Sequence, residues 1–403
     1  MTATSPSIVS GPVSTGGRAL GPDLARGLML LFIALANTHG FLHWPGVATI
    51  RNMPVVSSTA DRIVAIFELC LVDGRSYTMF AALFGYGMVQ IRRRQENAGA
   101  TWPATRKLLR RRGWWLLGLG FLHAVLLYYG DILAAYALLA LLLVASLRWS
   151  TRRLLIHAGG WIVAGALLYG LVSSPASPES AASIMPWSVE HNPLKAMGFR
   201  VMGIVVSAPI LAITAAGAFL LGVCAARLRI LEEPEKWLPL LRRVVWIGIP
   251  VSALGGLPLA LYVAGVLPDP AFANVVPAAV LHSITGFAGG PAYAALIALW
   301  AMRLHGNQPG RAGTAQRPGR IVTALQATGQ RSLTCYLSQS VVWAIVFPPY
   351  LLDLGHTMTL WQSALLAIGT WIATVLLADW MRRAGIRGPF EVLLRKLTYR
   401  KPA

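Results

Sequence analysis

The 32 residues GWWLLGLGFLHAVLLYYGDILAAYALLALLLV, from Gly113 to Val144, hold only two side chains that change charge readily near neutral pH, His123 and Asp131. An apolar run of this length is buried in a core or in lipid, and about 20 apolar residues are what a helix needs to cross a bilayer. Comparable runs recur along the 403 residues, separated by short clusters of Lys and Arg. Hydrophobic residues make up 56% of the chain and charged residues 12%, against about 45–50% and about 25% in soluble domains. The sequence therefore specifies an all-α, polytopic helical membrane protein.

Placing spans by apolar length and orienting them by Lys and Arg gives about ten transmembrane helices with both termini cytoplasmic. Of 35 Lys and Arg, only Arg51, Arg62, Arg75, Lys195 and Arg200 fall on the outer side. The net charge of +20 thus reads as a topology signal in contact with membrane lipids, and no nucleic-acid partner is expected. Residues 1–22, rich in Ser, Thr, Gly and Pro, read as a disordered tail rather than a signal peptide, since no apolar core with a cleavage site follows a basic start. Residues 23–385 form one transmembrane domain, and 386–403 a basic amphipathic tail at the inner surface. Within the domain, residues 58–73 carry Asp61, Arg62, Glu68 and Asp73. That is too charged for a span, and predicts an outer amphipathic helix, lying flat or dipping into a cavity, with Asp61 helping to cap its start. Residues 303–322 read as a cytoplasmic loop.

Polar side chains at membrane depth are costly and usually face a bundle interior, so the few present are the candidates for chemistry. Tyr128-Tyr129-Gly130-Asp131 makes a tight outer turn. Asp131 either caps the helix that follows or orients a histidine or substrate, and the two roles are compatible. His123 lies two helical turns earlier, as a hydrogen-bonded packing residue or a general base. His39 sits at similar depth on the first helix, with Asn37 one turn inside it. His282 is a third candidate with weaker grounds, and His356 falls in a short outer loop. Arg26 is deep enough to need a partner, a pocket or an anion. Tyr336, Gln339 and Ser340 share a face by their spacing, which suits helix–helix hydrogen bonding or a polar pocket. The three cysteines, Cys70, Cys224 and Cys335, are far apart and give neither a disulfide framework nor a metal spacing, so no metal is expected. Phosphate-loop, haem-attachment, HExxH and GxSxG motifs are absent from the sequence.

Several segments, in order along nearly the whole chain, resemble the YeiB-like family of bacterial membrane proteins with its DUF418-type domain of unknown function. They are RGLMLLFIALAN, MFAALFGYGM, RRGWWLLGLGFLHAVLLYYGDILAAYAL, TGQRSLTCYLSQS and GPFEVLLRKLTY. That family is similar at fold level to transmembrane acyltransferases, which implies a bacterial cytoplasmic membrane location and acyl transfer from a CoA donor. The type three acyltransferases carry an arginine and, after ten intervening residues, a histidine in the first helix. Here Arg26 leads by that spacing to Asn37, whose amide takes up no proton at neutral pH, and His39 is turned about 200° away.

Three functions are compatible with these residues. The first is an acyltransferase-like protein with His123 or His39 as general base, Asp131 orienting the base or the acceptor, and Arg26, Asn37, Tyr336, Gln339 and Ser340 binding substrate. Its donor would be an acyl-CoA and its acceptor a small-molecule, glycan or lipid-linked hydroxyl. The second is a permease or flippase using the same polar cluster. The third is a b-haem protein with His39 and His123 as axial ligands.

Overall fold

The computed structural model describes residues 20–44, 47–51, 53–173, 175–177, 186–268, 270–306 and 319–399. Helix α1 (Leu20–Thr38) continues into a 3-10 turn, His39–Phe41. A short hairpin follows, β1 (Thr49–Ile50) and β2 (Met53–Pro54). Helix α2 (Thr59–Phe67) runs into a π-helical turn, Glu68–Val72, before α3 (Ser76–Asn97), α4 (Trp102–Leu126), α5 (Ile132–Leu142) and α6 (Thr151–Val172). Strand β3 (Pro175–Ala176) and the single turn α7 (Pro186–Val189) lead to α8 (Pro193–Arg227), α9 (Leu238–Val263) and α10 (Phe272–Gly306). The chain ends in α11 (Arg320–Gln330), α12 (Ser332–Val346), α13 (Leu360–Arg383) and α14 (Pro389–Tyr399).

A helix stands at each position where the sequence calls for a crossing. Among the described residues, six are long and apolar enough to span a membrane: Leu20–Phe41, Thr151–Val172, Pro193–Arg227, Pro234–Val263, Phe272–Leu304 and Leu360–Arg383. α5 and α12 are shorter apolar helices. The outward surface agrees, since Trp246, Leu194 and Leu142 are each more than 70% exposed, a pattern that water would penalise and lipid accommodates. Inside, small residues let backbones meet. A Cβ on Gly222 of α8 would lie 1.9 Å from the Ala82 carbonyl of α3, and one on Gly85 of α3 would lie 2.3 Å from the Phe219 carbonyl of α8.

The structure revises several sequence boundaries. α1 begins at Leu20, inside the expected tail, of which residues 1–19 lie outside the described residues. α4 begins at Trp102, so the basic run from Arg106 to Arg112 rides on the helix. Residues 320–330, expected to be partly loop, form α11, whose Val322 and Leu325 pack on α1. Ser58, not Asp61, caps α2, its hydroxyl accepting from the Asp61 N–H at 3.2 Å. Asp61 instead accepts from the Trp361 N–H at 2.9 Å, in the first turn of α13. On the outer side β1 pairs antiparallel with both β2 and β3, Thr49 opposite Pro54 and Ala176. These two-residue strands carry no periodic signal that a sequence could reveal.

The end of the described chain is docked. Glu391 of α14 accepts from the Leu333 and Thr334 N–H groups at 2.7 and 3.1 Å and from the Thr334 hydroxyl at 2.5 Å. It thereby satisfies first-turn donors of α12 that have no partner within the helix.

Candidate functional site

The α4–α5 turn builds a buried histidine–carboxylate pair. α4 ends just beyond His123, and Asp131 is the N-cap of α5, with Oδ2 accepting from the Ala134 N–H at 2.6 Å. The other oxygen, Oδ1, lies 2.8 Å from His123 Nδ1. Gly120 makes this approach possible, because a Cβ there would lie 2.5 Å from both Asp131 Oδ2 and Ala134 N. His123 and Asp131 are both buried. Tyr336 of α12 completes the group, its hydroxyl 3.4 Å from Asp131 Oδ1 and its ring 5.1 Å from the His123 ring. A carboxylate on Nδ1 places the imidazole proton there and leaves Nε2 with its lone pair. That Nε2 is buried and has no hydrogen-bond partner.

Two further unmet polar atoms lie along the same helix, Gln339 Oε1 and Trp343 Nε1. Buried polar atoms are nearly always paired, so such a seam suits water or a polar ligand. Gln339 Nε2 donates to the Leu30 carbonyl of α1 at 3.5 Å, and the Ser340 hydroxyl donates to the Tyr336 carbonyl at 3.5 Å. Toward the outer side, Phe41 stacks on Tyr128 and Phe347, with Trp343 and Trp187 against it.

His39 has a carboxylate of its own, with Nδ1 3.3 Å from Glu68 Oε2. Burial pushes the Glu68 carboxyl up, and His39 opposes it. His39 and His123 are thus held by different carboxylates on different elements. Arg26 pairs with Asp23 at 3.2 Å near the inner end of α1. Asn37 is half-buried eleven residues on, a rise of about 16 Å along the helix. The structure therefore gathers His123, Asp131 and Tyr336 into one contact group, continues it through Gln339 and Ser340, and leaves Arg26 at the other end.

Sequence reasoning missed the most heavily charged interior cluster. Asp73 accepts from Arg51, from the Tyr169 hydroxyl at 2.7 Å and from His282 Nε2 at 3.2 Å. Burial alone would raise the Asp73 carboxyl, but the Arg51 guanidinium and the His282 hydrogen bond hold it well below the usual carboxylate range. Arg75 is fully buried, its Nε donating to the Ser252 hydroxyl at 2.8 Å and its Nη1 to the Asp73 carbonyl at 2.5 Å. Gly74 between them has φ +77°, and a Cβ there would stand 3.0 Å from His282 Nε2. Asp73-Gly74-Arg75 in one turn is a signal a sequence offers, but its partners lie up to 209 residues away.

At the inner face a groove of about 660 Å³ runs along α4, lined by Arg106, Lys107, Arg110, Arg111, Trp114 and Trp115. A second hollow of about 270 Å³ holds Arg92, Arg93, Arg148 and Arg227. There Arg227 and Arg92 are already spent on the carbonyls of Leu147 and Trp149.

Residues 225–401 match the family described as "Protein of unknown function (DUF418)". Over 371 residues the chain is also 25% identical to "Uncharacterized protein YxaH" of Bacillus subtilis (strain 168), covering 85% of this chain and 83% of that protein. The DUF418 match includes α12, with Tyr336, Gln339 and Ser340, and the GPFE turn of α14. The YeiB-like resemblance read from the sequence is thereby supported. The chain is a helical membrane protein whose residues 225–401 are similar to the DUF418 family.

Proposed function

We propose that this protein is an acyltransferase of the bacterial cytoplasmic membrane, moving an acyl group from an acyl-CoA at its inner face to a hydroxyl on a glycan or lipid-linked acceptor nearer the outer face. One observation carries the reading: His123 is oriented by Asp131 through Nδ1 while its Nε2 is buried and unpartnered. That is the arrangement of a general base awaiting an O–H group. The acceptor oxygen attacks the thioester carbonyl as its proton moves to His123 Nε2. The tetrahedral intermediate collapses, the C–S bond breaks, and His123 returns the proton to the departing thiolate. Asp131 stabilises the imidazolium formed in between. Tyr336, Gln339, Ser340 and Asn37 line the acceptor side, and Arg26 meets an anionic group of the donor.

The α4 groove suits the donor's phosphates, since its cations and indoles stand on the helix that carries His123. Trp115 and His123 are about 12 Å apart along that helix, a distance the donor's flexible arm must cover. A permease without covalent chemistry is the second reading. It is favoured by the cluster of buried Asp73 and His282 with half-buried Arg51, a grouping common on ion and substrate pathways.

The test uses purified protein in detergent with acetyl-CoA and mixed sugar and lipid acceptors. Free CoA release is compared among wild type, His123→Ala and Asp131→Asn. Acceptor-dependent release that falls at least 100-fold in His123→Ala, with folding intact, supports the reading. Release that is absent in wild type, or unchanged in His123→Ala, refutes it and moves the question to uptake by vesicles.

A further inference from the structure

A second cluster of ligand-type side chains lies outside the His123 seam, where the outer end of α1 meets the connection between α12 and α13. His43, Asp353 and His356 each offer one ligand atom, and the three atoms lie within 4.8 Å of one another. His43 is 310 residues from Asp353, so no spacing motif announces the group. We propose that these three residues bind a borderline divalent transition metal ion of the zinc type, clipping the outer end of α1 to the α12–α13 loop.

The donor set suits such an ion, since two imidazoles and one carboxylate are what zinc takes when it keeps a fourth position open. The surroundings are built to hold the set. His43 Nδ1 lies 3.3 Å from the Phe41 carbonyl, which fixes the ring plane, and the His43 N–H donates to the Gly355 carbonyl at 3.0 Å. Position 355 must be glycine for this, because a Cβ there would stand 2.6 Å from His43 Cε1. Trp44 fastens the same loop by donating to the Met358 carbonyl at 3.0 Å. Asp353 has φ +53°, in the left-handed region that non-glycine residues seldom adopt. It turns the carboxylate toward His356, whose Nδ1 is 3.2 Å from Asp353 Oδ1.

The groups acting electrostatically on His43 are Asp353, His356 and His191. Water is available for the fourth position. Ligand atoms about 2.0–2.1 Å from a tetrahedral ion stand about 3.3 Å apart, so a set spread within 4.8 Å has to close by up to about 1.5 Å. His356 and Asp353 are accessible enough to make that movement, with side chains 43% and 38% exposed, and they leave the ion an entry path.

The experiment uses full-length protein without a histidine tag, stripped with chelator and titrated with Zn²⁺ against a chromophoric competitor. One Zn²⁺ per chain is expected in the micromolar range or tighter, weakened at least tenfold in His356→Ala and in Asp353→Asn. His157→Ala, on α6 and outside the cluster, should match wild type. Zn²⁺ should also raise the thermal midpoint of wild type and leave that of His356→Ala unmoved, which separates binding from misfolding. Less than one ion per chain in folded wild type, or equal affinity in wild type and both ligand variants, overturns the proposal. CoA release enters neither readout, so this proposal and the acyl-transfer reading fail independently.

Discussion

Replacing Glu391 should loosen the start of α12, the helix that carries Tyr336. The carboxylate accepts two backbone N–H groups and one hydroxyl there, at 2.7, 3.1 and 2.5 Å. Losing a helix cap costs about 0.5–2 kcal/mol, and hydrogen bonds to a charged group contribute about 1.5–3 kcal/mol. Glu391 is half-buried, so water recovers part of this and about 2 kcal/mol is the expected loss in Glu391→Ala. At about 1.4 kcal/mol per tenfold, local opening becomes roughly 30-fold more frequent. Glu391→Gln keeps one acceptor oxygen and should lose about 1 kcal/mol, roughly 5-fold. Hydrogen exchange read by mass spectrometry on peptides covering Leu333 and Thr334 measures both, with α6 as the internal reference. Unchanged exchange in a folded Glu391→Ala variant would mean that Glu391 does not cap α12.

Gly120→Ala would push a methyl group against the Ala134 N–H and the Asp131 carboxylate. Overpacking of this kind should lower stability by about 1–3 kcal/mol, and a thermal midpoint equal to wild type would show that α4 and α5 do not pack as described. Asp73→Asn leaves Arg51 without its buried counter-ion and should cost about 3–5 kcal/mol, read as an earlier unfolding midpoint in denaturing detergent. The same carboxyl gives a signed pH dependence. Its folded value lies below the unfolded one of about 3.9, so its contribution is complete above that pH and is lost as pH falls through the lower folded value. Wild type should therefore lose stability below about pH 4 with a steeper slope than Asp73→Asn, and parallel profiles would contradict the pairing.

Helix positions were legible because apolar length over 20 residues is a local property, as in α6 or α13. The His123–Asp131 pair was legible for a related reason: eight residues and one tight turn separate its members, so local geometry alone brings them close. Asp131 performs both roles weighed for it, capping α5 with one oxygen and holding His123 with the other. Glu68 was not legible as the partner of His39, because its segment carries enough charge to look like a surface helix. Nothing local shows that a π-helical turn carries it inward. Arg51, Arg75 and Arg200 counted as outer-face cations, yet Arg75 and Arg200 are buried and Arg51 is paired with Asp73. Charge patterning reports which side of the membrane a residue is on, not whether the protein interior claims it. α11 escaped notice because its inward face is short and it follows a Gly- and Pro-rich stretch.

The family match covers residues 225–401, which invites treating that stretch as a separable module. The capping and docking contacts argue against it. The first turn of α13 is closed by Asp61, from α2. Trp371 donates to the Gly27 carbonyl at 3.0 Å, and Gly329 is seated so tightly on the Asp23 backbone that a Cβ would lie 1.8 Å from its carbonyl. An excised 225–401 fragment would begin life with an unpaired Trp361 N–H, an unpaired indole and a bare glycine seam. Homologues can therefore exchange these halves only where both sides of the seam change together, and sequence drift in α1 should track drift in α11 and α13.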